Sequence, residues 1–433
     1  MVSRAGIVVT GTEVLTGRVR DANGPWLAEQ LRRLGVDVGR TVIVGDRPDD
    51  LRRAVEFLAA DHDLVITSGG LGPTADDLTA EVVAEVQGRS PVLDPDLERR
   101  ITEIVERLTA ARGWTPDPEA TRIATRKQSY VPEGAHLLEP VGTAPGLVVP
   151  GADGRGGPPV LVLPGPPAEL QGMWDAAVAD PIVASALAGR QELRQETLRL
   201  WGTPESELAA TLRAHDDELA GLEITTCLRE GGELEVVTRF SPDASDAYDA
   251  LSAAVRRDFA HTLFSEDGRT VAEIVTDALL AQQATIATAE SCTAGLLAAR
   301  LADRPGSSAY LLGGLVTYAN EAKRDLLGVP QQLLDDVGAV SAEVAEVMAD
   351  GARARLGATI GVGITGIAGP GGATDGKPVG LVHLCVSSAD RSIERRVVLP
   401  GSRDAIRARA VVVALHLLRV LLEPPLSRPA PPG

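Results

Sequence analysis

Short apolar runs alternate with amphipathic segments along the first part of the chain. The runs at residues 6–10, 36–44 and 63–67 have the length of buried strands, and residues 25–34 and 48–60 have helical spacing. Strands that alternate with helices are typical of a parallel sheet covered on both faces. Ligands of such sheets bind beyond the carboxyl ends of the strands, so we expect the chemistry of this part in the loops that follow its strands.

A similar alternation returns near residue 270, after a stretch of different character. Residues 192–264 have the pattern of half-exposed strands and two helices, and they predict a small α+β module without a catalytic constellation. Beyond this module, helical and apolar segments alternate again up to a closing helix at 403–422. The strands predicted there are 286–289, 310–318, 359–365, 379–387 and 393–399.

These patterns predict an α/β protein of three domains. We place an N-terminal domain with a parallel or mixed sheet at residues 1–180, a linker or dimerisation domain at 190–265, and a three-layer α/β domain at 270–422. The tail at 423–433 is rich in proline, and we expect it to be disordered.

Composition and charge narrow the classes of function. The 433 residues are 44% hydrophobic and only 3% aromatic, and the formal net charge is −18. We expect such an acidic chain to bind neither nucleic acid nor an anionic membrane. Its cysteines are too few and too dispersed for a disulfide framework or a zinc site. No apolar run reaches membrane-spanning length and the first residues lead directly into a strand, so we expect a cytoplasmic protein without a signal peptide.

The turn at residues 290–293 has the pattern of a catalytic serine turn. It lies between the apolar run 286–289 and a helical segment at 295–301, so the hydroxyl of Ser291 is exposed at a strand-to-helix turn. We expect the amides of the first helical turn to be free to bind an anion. Two alternatives stay open: Ser291 or Thr293 is only a helix N-cap, or the nucleophile is Cys292, since a thiol beside a helix N-terminus is often reactive.

A glycine loop after the third strand is the informative stretch of the N-terminal domain. Glycines at 69, 70 and 72 let backbone amides approach a phosphate closely, and Thr74 lies in the same loop. Asp76 and Asp77 follow at the start of the next helix, which suggests a hydrated divalent cation beside that phosphate. The alternative is a capped helix after a glycine turn. Glu13, in an earlier glycine-bounded loop, is a further candidate metal carboxylate or a plain surface residue.

Together these motifs resemble the CinA family (competence/damage-inducible protein A) over essentially the whole chain. The N-terminal domain resembles the molybdopterin-binding MoaB/MogA fold, and the C-terminal domain resembles nicotinamide-nucleotide amidohydrolase. The first likeness is carried by residues 11–13, 21–23, 67–77, 141–146 and 163–165, and the second by residues 288–293, 305–308, 316–320 with Lys323, 338–341 and 365–372. The family usually has glycine where this chain has Ala294, which we expect to lie within the helix and to be tolerated, and serine where it has Ala319.

The resemblance implies two activities. The C-terminal domain of the family hydrolyses the carboxamide of nicotinamide mononucleotide to nicotinate mononucleotide and ammonia, without a metal cofactor. The N-terminal domain is associated with an ADP-ribose pyrophosphatase activity that needs a divalent cation. Nicotinamide mononucleotide and ADP-ribose are therefore the expected ligands, and we expect a homodimer. The alternative is a non-catalytic regulatory protein that binds a pterin or a nucleotide.

The resemblance and the residue types together suggest a serine–lysine mechanism. Ser291 would attack the carboxamide carbon and Lys323 would act as the base, provided that burial or a nearby cation lowers the pKa of its amine. Tyr318 would relay the proton or orient the lysine, unless it is a core tyrosine at a strand end. His383 lies in a predicted strand, and we interpret it as structural.

The remaining candidates are substrate contacts. We expect the oxyanion on backbone amides of the Ser291 turn, substrate polar groups on Thr365 and Gly366, and a phosphate on the amides of 366–372, neutralised by Arg403 or Arg407. The full set of predicted substrate contacts comprises Glu290, Cys292, Thr293, Asn320, Thr365, Gly366, Gly369, Gly371 and Arg403 in the C-terminal domain, and Gly69, Gly70, Gly72 and Thr74 in the N-terminal domain.

Overall fold

The computed structural model describes residues 2–154, 156–229 and 231–423. The predicted disorder of the tail concerns residues that lie outside this part, apart from Glu423. The chain divides into two compact units, Met1–Arg194 and Gln195–Gly433. None of the helices in the described part is long and apolar enough to cross a membrane.

The first unit is built around a six-stranded sheet with the order β2-β1-β3-β8-β7-β6. Strands β1, β2, β3 and β8 are parallel, and β7 and β6 complete the sheet in antiparallel pairs, so the sheet is mixed. The strands are β1 Arg4–Thr10, β2 Asp37–Val44, β3 Leu64–Ser68, β4 Pro91–Leu93, β5 Tyr130–Pro132, β6 His136–Leu138, β7 Gly146–Val149 and β8 Val160–Leu163. The helices are α1 Thr12–Leu15, α2 Asn23–Arg33, α3 Pro48–Ala59, α4 Thr79–Gln87, α5 Pro95–Arg112, α6 Pro118–Gln128, α7 Pro167–Ala179 and α8 Pro181–Ala186.

Both faces of this sheet are covered by helices. Ile7 and Val9 of β1 belong to one apolar core, with residues of α2 and α7, and Val8 between them belongs to another, with residues of α3 and α4. This alternation explains why the strands read as continuous apolar runs. Residues 11–17, predicted as a loop, contain the one-turn helix α1.

The second unit begins with a four-stranded sheet of order β10-β11-β9-β12. Its strands are β9 Arg194–Trp201, β10 Leu222–Leu228, β11 Glu233–Phe240 and β12 Leu263–Ser265, and its helices are α9 Glu205–Ala214 and α10 Ser245–Asp258. The remainder, as far as residue 423, is a five-stranded sheet of order β14-β13-β15-β16-β17 with six α-helices. These elements are α11 Val271–Ala281, β13 Ile286–Glu290, α12 Leu296–Ala302, β14 Leu311–Val316, α13 Asn320–Leu327, α14 Gln331–Val337, α15 Ala342–Leu356, β15 Ile360–Gly366, β16 Leu381–Ser387, β17 Ser392–Val398 and α16 Arg403–Leu422.

The five-stranded sheet forms the middle layer of three. Strand β13 runs parallel to β14 and β15, and β16 is antiparallel to β15 and β17. Helices α11, α12 and α16 contribute to the core on one face, and α13, α14 and α15 to the core on the other. The predicted α/β class, with a mixed sheet in the first unit and a three-layer arrangement in the second, is confirmed.

The small four-stranded module packs against helix α16. His416 of that helix is fully buried, stacks on Trp201 with 4.0 Å between ring centroids, and lies 2.8 Å from Glu233 through its Nε2. The carboxylate and the two rings therefore tie the module to the helix whose first turns reach the site described next.

Candidate active site

The hydroxyl of Ser291 and the amine of Lys323 are brought together at the end of β13. The Ser291 amide donates to the carbonyl of Ile364 at 2.9 Å, which extends the pairing of β13 with β15 into the turn. The Lys323 side chain comes from α13 and is 1% exposed. Its Nζ lies 3.1 Å from Ser291 Oγ and also donates to the carbonyls of Thr317 at 2.8 Å and Tyr318 at 3.2 Å. The two residues predicted as nucleophile and base are in hydrogen-bond contact.

The surroundings of Lys323 favour its neutral form. Burial lowers the pKa of the amine below its ordinary value, against a smaller opposing effect of Cys292. The three oxygens that accept its hydrogen bonds are neutral, so none of them stabilises the ammonium as a carboxylate would. The lowered pKa makes the neutral amine more accessible than in an exposed lysine, and a neutral amine is what a general base needs in order to take up the proton of the serine.

The carboxylate of Glu290 binds the backbone amides that follow the Ser291 turn. It is fully buried and accepts hydrogen bonds from the amides of Gly295 at 3.0 Å, Leu297 at 3.1 Å and Ala298 at 2.9 Å, and from the Thr288 hydroxyl at 3.1 Å. The prediction that these helix amides are free for a substrate anion is therefore wrong, because the chain supplies its own anion there. Glu290, predicted as a substrate contact, instead positions the turn.

The residues between the turn and α12 are in the left-handed region of backbone conformation. Ala294 has a φ of 51° and Gly295 a φ of 92°. Gly295 is the N-cap residue of α12, so neither Ser291 nor Thr293 is the helix cap that the alternative interpretation required. Ala294 lies before the helix and not within it, which corrects the prediction and gives a reason for glycine at this position: a β-carbon is strained there.

Cys292 is unsuited to be the nucleophile. Its side chain is 3% exposed and belongs to the apolar core shared with α11 and α16. Burial raises the pKa of the thiol to about 11, which keeps it protonated. Thr293 is also fully buried, and its hydroxyl has no hydrogen-bond partner within the described ranges. Cys292 and Thr293, both predicted as substrate contacts, have their side chains in the interior.

The guanidinium of Arg407 binds two backbone carbonyls of the same turn. Its Nε donates to the carbonyl of Cys292 at 3.0 Å and an Nη to the carbonyl of Thr293 at 3.2 Å. The guanidinium is therefore engaged with the backbone, and this corrects the suggestion that Arg407 serves to neutralise a phosphate.

Arg403 and Tyr318 form a second polar contact at this edge of the sheet. Arg403 donates to the carbonyl of Gly369 at 2.8 Å and to the hydroxyl of Tyr318 at 2.6 Å. The Tyr318 side chain is 55% exposed, so it is not a core tyrosine. Lys323 contacts the carbonyl of Tyr318, whereas the hydroxyl contacts Arg403. The predicted relay through the tyrosine hydroxyl is therefore not the arrangement observed.

The remaining predicted contacts lie around the carboxyl end of β15. The Thr365 hydroxyl donates to the carbonyl of Ala339 at 2.7 Å, and Gly366 is the last residue of the strand. Asn320 and Gly371 are exposed. The Ser291 amide is not available for an oxyanion because it is bonded to Ile364, so the amides of the two residues that follow it are the candidates left in this turn.

A cavity of about 540 Å³ occupies the carboxyl ends of the strands in the first unit. The predicted glycine loop forms part of its wall, and all predicted residues of this site contribute: Glu13, Gly69, Gly70, Gly72, Thr74, Asp76 and Asp77. Asn23 and Glu169, which the sequence interpretation did not select, also line it. Burial raises the pKa of the Glu169 carboxyl.

Asn23 presents an unused acceptor at this cavity. Its amide nitrogen donates to Ser68 Oγ at 2.8 Å and to the carbonyl of Gly165 at 2.7 Å, which fixes the orientation of the amide. Its Oδ1 is buried and has no hydrogen-bond partner in the part of the chain that the structure describes. Asp21 next to it accepts from two backbone amides.

The predicted metal carboxylates do not converge. Asp77 closes the glycine loop, because its Oδ2 accepts from the Thr74 amide at 2.9 Å and from the Thr74 hydroxyl at 2.5 Å. Within the described ranges, no three histidine, cysteine, aspartate or glutamate side chains are grouped as metal ligands. Asp76 and Glu13 line the same cavity. This arrangement is compatible only with a cation that is held by one or two carboxylates and completes its coordination with phosphate oxygens and water.

The two sites fall within two known families of domains. Residues 268–422 match the CinA C-terminal domain, and residues 6–184 match the model described as "Probable molybdopterin binding domain". A CinA-like protein of Mycobacterium sp. strain MCS is 57% identical over 428 residues, which is 98% of this chain and 100% of the relative. The chain belongs to the CinA family. A CinA-like protein of Mycobacterium tuberculosis is 52% identical over 96% of this chain and 97% of its own length.

Solved structures of CinA proteins match a little over a third of this chain. The competence/damage-inducible protein CihA from Agrobacterium tumefaciens is 40% identical over 37% of this chain and 99% of its own, with a TM-score of 0.34. The CinA superfamily protein KP700603 from Klebsiella pneumoniae is 35% identical over 36% of this chain and 98% of its own, also with a TM-score of 0.34. The predicted family and the MoaB/MogA type of the N-terminal domain are confirmed.

The sequence did not single out Asn23, and it suggested other roles for Glu290 and Arg407 than those the structure shows. Asn23 belongs to the stretch 21–23 that carries part of the family resemblance, and a polar residue there, beside a strand end, was the signal that could have identified it. Glu290 was noticed, but its role under the helix has no signature in the sequence. The contact of Arg407 with the turn joins residues 115 positions apart, which only the fold brings together.

Proposed function

We propose that the C-terminal domain hydrolyses the carboxamide of nicotinamide mononucleotide, giving nicotinate mononucleotide and ammonia. The observation that carries the proposal is the 3.1 Å contact between Ser291 Oγ and the buried amine of Lys323. A hydroxyl paired with a desolvated amine is the arrangement of serine–lysine hydrolases. The membership in the CinA family supports the choice of substrate.

The reaction follows from this geometry in two halves. Lys323 takes the proton of the Ser291 hydroxyl while Oγ bonds to the carboxamide carbon, and the carbonyl oxygen becomes an oxyanion. The bond from carbon to the amide nitrogen then breaks, and the lysine ammonium gives its proton to the leaving nitrogen, so that ammonia departs. Water attacks the resulting ester with Lys323 again as base, and Ser291 regains its proton as the carboxylate is released.

The test is ammonia release from nicotinamide mononucleotide by the full-length chain. We expect turnover by the unmodified protein, loss of turnover in Ser291→Ala, and a measurable fraction of activity in Cys292→Ala, because the thiol only packs in the core. Circular dichroism of each variant establishes that it is folded. Activity retained in Ser291→Ala but lost in a folded Cys292→Ala would overturn the assignment.

The cavity of the first unit supports a second candidate function. The backbone amides of the glycine loop favour a phosphate-bearing ligand, and the unpartnered Oδ1 of Asn23 can accept a hydrogen bond from a hydroxyl or amino group of the same ligand, so we propose a metal-dependent ADP-ribose pyrophosphatase. A divalent cation held by Asp76 or Glu13 with pyrophosphate oxygens would neutralise the charge of the ligand. The side chains themselves do two things: the Thr74–Asp77 contact holds the loop, and Asn23 orients the bound group.

This second activity is measured as AMP release from ADP-ribose with magnesium, manganese or cobalt. Asp76→Asn is the informative variant because Asp76 is exposed and its replacement leaves the Thr74–Asp77 contact in place. We expect Asp76→Asn to lower AMP release and to leave ammonia release unchanged. If the unmodified protein releases neither product while binding both ligands, a non-catalytic regulatory protein is the correct interpretation.

A further inference from the structure

A row of polar side chains extends from Ser291 across neighbouring strands. The β13–β15 ladder pairs Glu290 with Ile364, so the following residues, Ser291 and Thr365, lie side by side. Thr365 in turn pairs with His383 of β16, and His383 pairs with Arg396 of β17. Residues directly opposite each other on neighbouring strands point to the same face of a sheet. The four side chains therefore form one row at one level of the sheet.

This row faces α13 and α15. Ala287 and Ala289 have the same alternation as Ser291 and pack with α15, whereas Val382 and Leu384, on either side of His383, pack on the opposite face with α16. The Thr365 hydroxyl also points to the turn that leads into α15. Ser291, the buried amine of Lys323 and His383 are therefore on one side of the sheet.

His383, the third member of the row, has a ring nitrogen without a partner in the described part of the chain. Its side chain is 8% exposed, and its Nδ1 has no hydrogen-bond partner within the described ranges. Buried polar atoms in native proteins are paired with protein, water or ligand, so an unpaired ring nitrogen in line with a nucleophile points to a ligand.

The charges around His383 are mainly positive. Burial lowers the pKa of the imidazole, and Arg396 and Lys377 lower it further, while Glu343 of α15 acts in the opposite direction. The Lys377 amine donates to the carbonyl of Val337 at 2.6 Å, at the C-terminal end of α14. We call Lys377, His383 and Arg396 the distal cluster.

The N-terminus of α15 packs over the row of polar side chains at the end of β15. A β-carbon on Gly361 would meet the carbonyl of Ala349 at 2.0 Å, and one on Gly363 the carbonyl of Ala345 at 2.0 Å. The helix thus runs back over β15, and its first turn comes over Thr365. The Val344 amide of this first turn is already bonded to the hydroxyl of Ser341, and Glu343 lies in the same turn, so the contribution of α15 to the field of the distal cluster is that of its dipole.

The distance from Ser291 to the distal cluster suits a nucleotide. Neighbouring strands are about 4.8 Å apart, so His383 lies about 10 Å from Ser291 along the row. A substrate with its carboxamide at Ser291 spans that distance with a pyridine ring and a ribose. Arg403 contacts the other side of the site and already donates to Gly369 and Tyr318.

We propose that the distal cluster binds the phosphate monoester of the substrate whose carboxamide lies at Ser291. This inference rests on the proposed amide hydrolysis and adds to it the residues that distinguish a nucleotide from a nucleoside. It also moves the phosphate away from Arg403 and the loop 366–372, where the sequence motifs suggested it.

The experiment compares nicotinamide mononucleotide with nicotinamide riboside, which has the same amide and no phosphate. Arg396→Gln, Lys377→Gln and His383→Gln are measured for KM and kcat of ammonia release with both substrates. Arg395→Gln is the matched control, because Arg395 is the next residue of the same strand and pairs with Leu384, whose side chain is on the other face. Arg396 is exposed, so its variant is expected to fold even if His383→Gln does not.

We expect each cluster variant to raise KM for the mononucleotide about tenfold with little change in kcat, and to leave the riboside unchanged. A tenfold change corresponds to the loss of one charge-assisted contact. Inorganic phosphate should inhibit the unmodified protein competitively and inhibit Arg396→Gln more weakly. A purely structural role would instead affect both substrates equally, and this result, or an equal effect of Arg395→Gln, would overturn the proposal.

A binding measurement separates this inference from the proposed reaction. Titration calorimetry on Ser291→Ala, with the mononucleotide and the riboside, needs no turnover. If the unmodified protein releases no ammonia but the preference for the mononucleotide is lost in Ser291→Ala/Arg396→Gln, the phosphate site stands and the reaction is wrong. If Arg403→Gln abolishes the preference and the cluster variants keep it, the phosphate lies on Arg403 and the proposal is wrong.

Discussion

Replacing Lys323 by methionine tests the central contact of the C-terminal domain. Methionine keeps most of the length of the side chain and removes only the amine that lies 3.1 Å from Ser291 Oγ. A general base contributes about 10²- to 10⁴-fold to a rate, so we expect kcat/KM for ammonia release to fall by that factor. Lys323→Arg is the companion variant: it keeps a positive charge but cannot give up its proton, and we expect the same loss.

The stability of Lys323→Met should change much less than its activity. The variant leaves the carbonyls of Thr317 and Tyr318 without this donor, at about 1 kcal/mol each. It also removes the cost of burying an amine that is 1% exposed, which offsets part of that loss. We therefore expect the free energy of unfolding in urea to stay within about 2 kcal/mol of the unmodified protein.

The pH profile gives an independent measurement of the same amine. Because Lys323 must be neutral to act as a base, kcat/KM should rise with pH as the amine loses its proton. Since burial lowers its pKa, the midpoint of this rise should lie below the ordinary value of 10.5. A folded Lys323→Met variant with more than a tenth of the original kcat/KM, or an unchanged pH profile in that variant, would refute the role of the lysine.

Four further variants test the architecture around the dyad. Ala294→Gly relieves a β-carbon at a φ of 51°, and we expect about 1 kcal/mol more stability in urea with unchanged activity; lower stability would contradict the strain. In Glu290→Gln the NH2 group of the new side chain faces backbone N–H groups, so donors oppose donors, and we expect the free energy of unfolding in urea to fall by about 3 kcal/mol. Arg407→Gln frees two carbonyls of the turn, so kcat should fall about tenfold with little change in KM; a change in KM alone would indicate substrate binding instead. Gly363→Ala places a β-carbon 2.0 Å from the carbonyl of Ala345, and we expect a loss of about 3 kcal/mol or a failure to fold, whereas a neutral result would show that α15 can move.

The alternation of apolar runs and amphipathic segments was sufficient to predict the α/β class and the loops that form the two sites. These features are local: the face of a strand or helix is set by residues within a few positions of each other. The motifs carrying Ser291 and Lys323 were also readable, because each is a short stretch at the end of a strand or the start of a helix.

The roles of individual charged residues were less predictable. Glu290 was expected to contact the substrate, and Arg407 was one of two arginines suggested to neutralise its phosphate. In the structure the Glu290 carboxylate accepts hydrogen bonds from the helix amides, and the Arg407 guanidinium donates to two carbonyls of the turn. Both bonds satisfy backbone groups that the fold leaves unpaired, and such needs appear only when the chain is folded.

The sequence alone therefore determined the family, the class of fold and the motifs that carry Ser291 and Lys323, which the structure brings into hydrogen-bond contact. The tertiary structure decided that Cys292 is enclosed in the core, that the amine of Lys323 is desolvated against neutral oxygens, and that His383 stands in line with Ser291. The physical reason is that burial and strand register depend on residues far apart in the chain. No local pattern records which side chains those contacts will shield from water or place side by side.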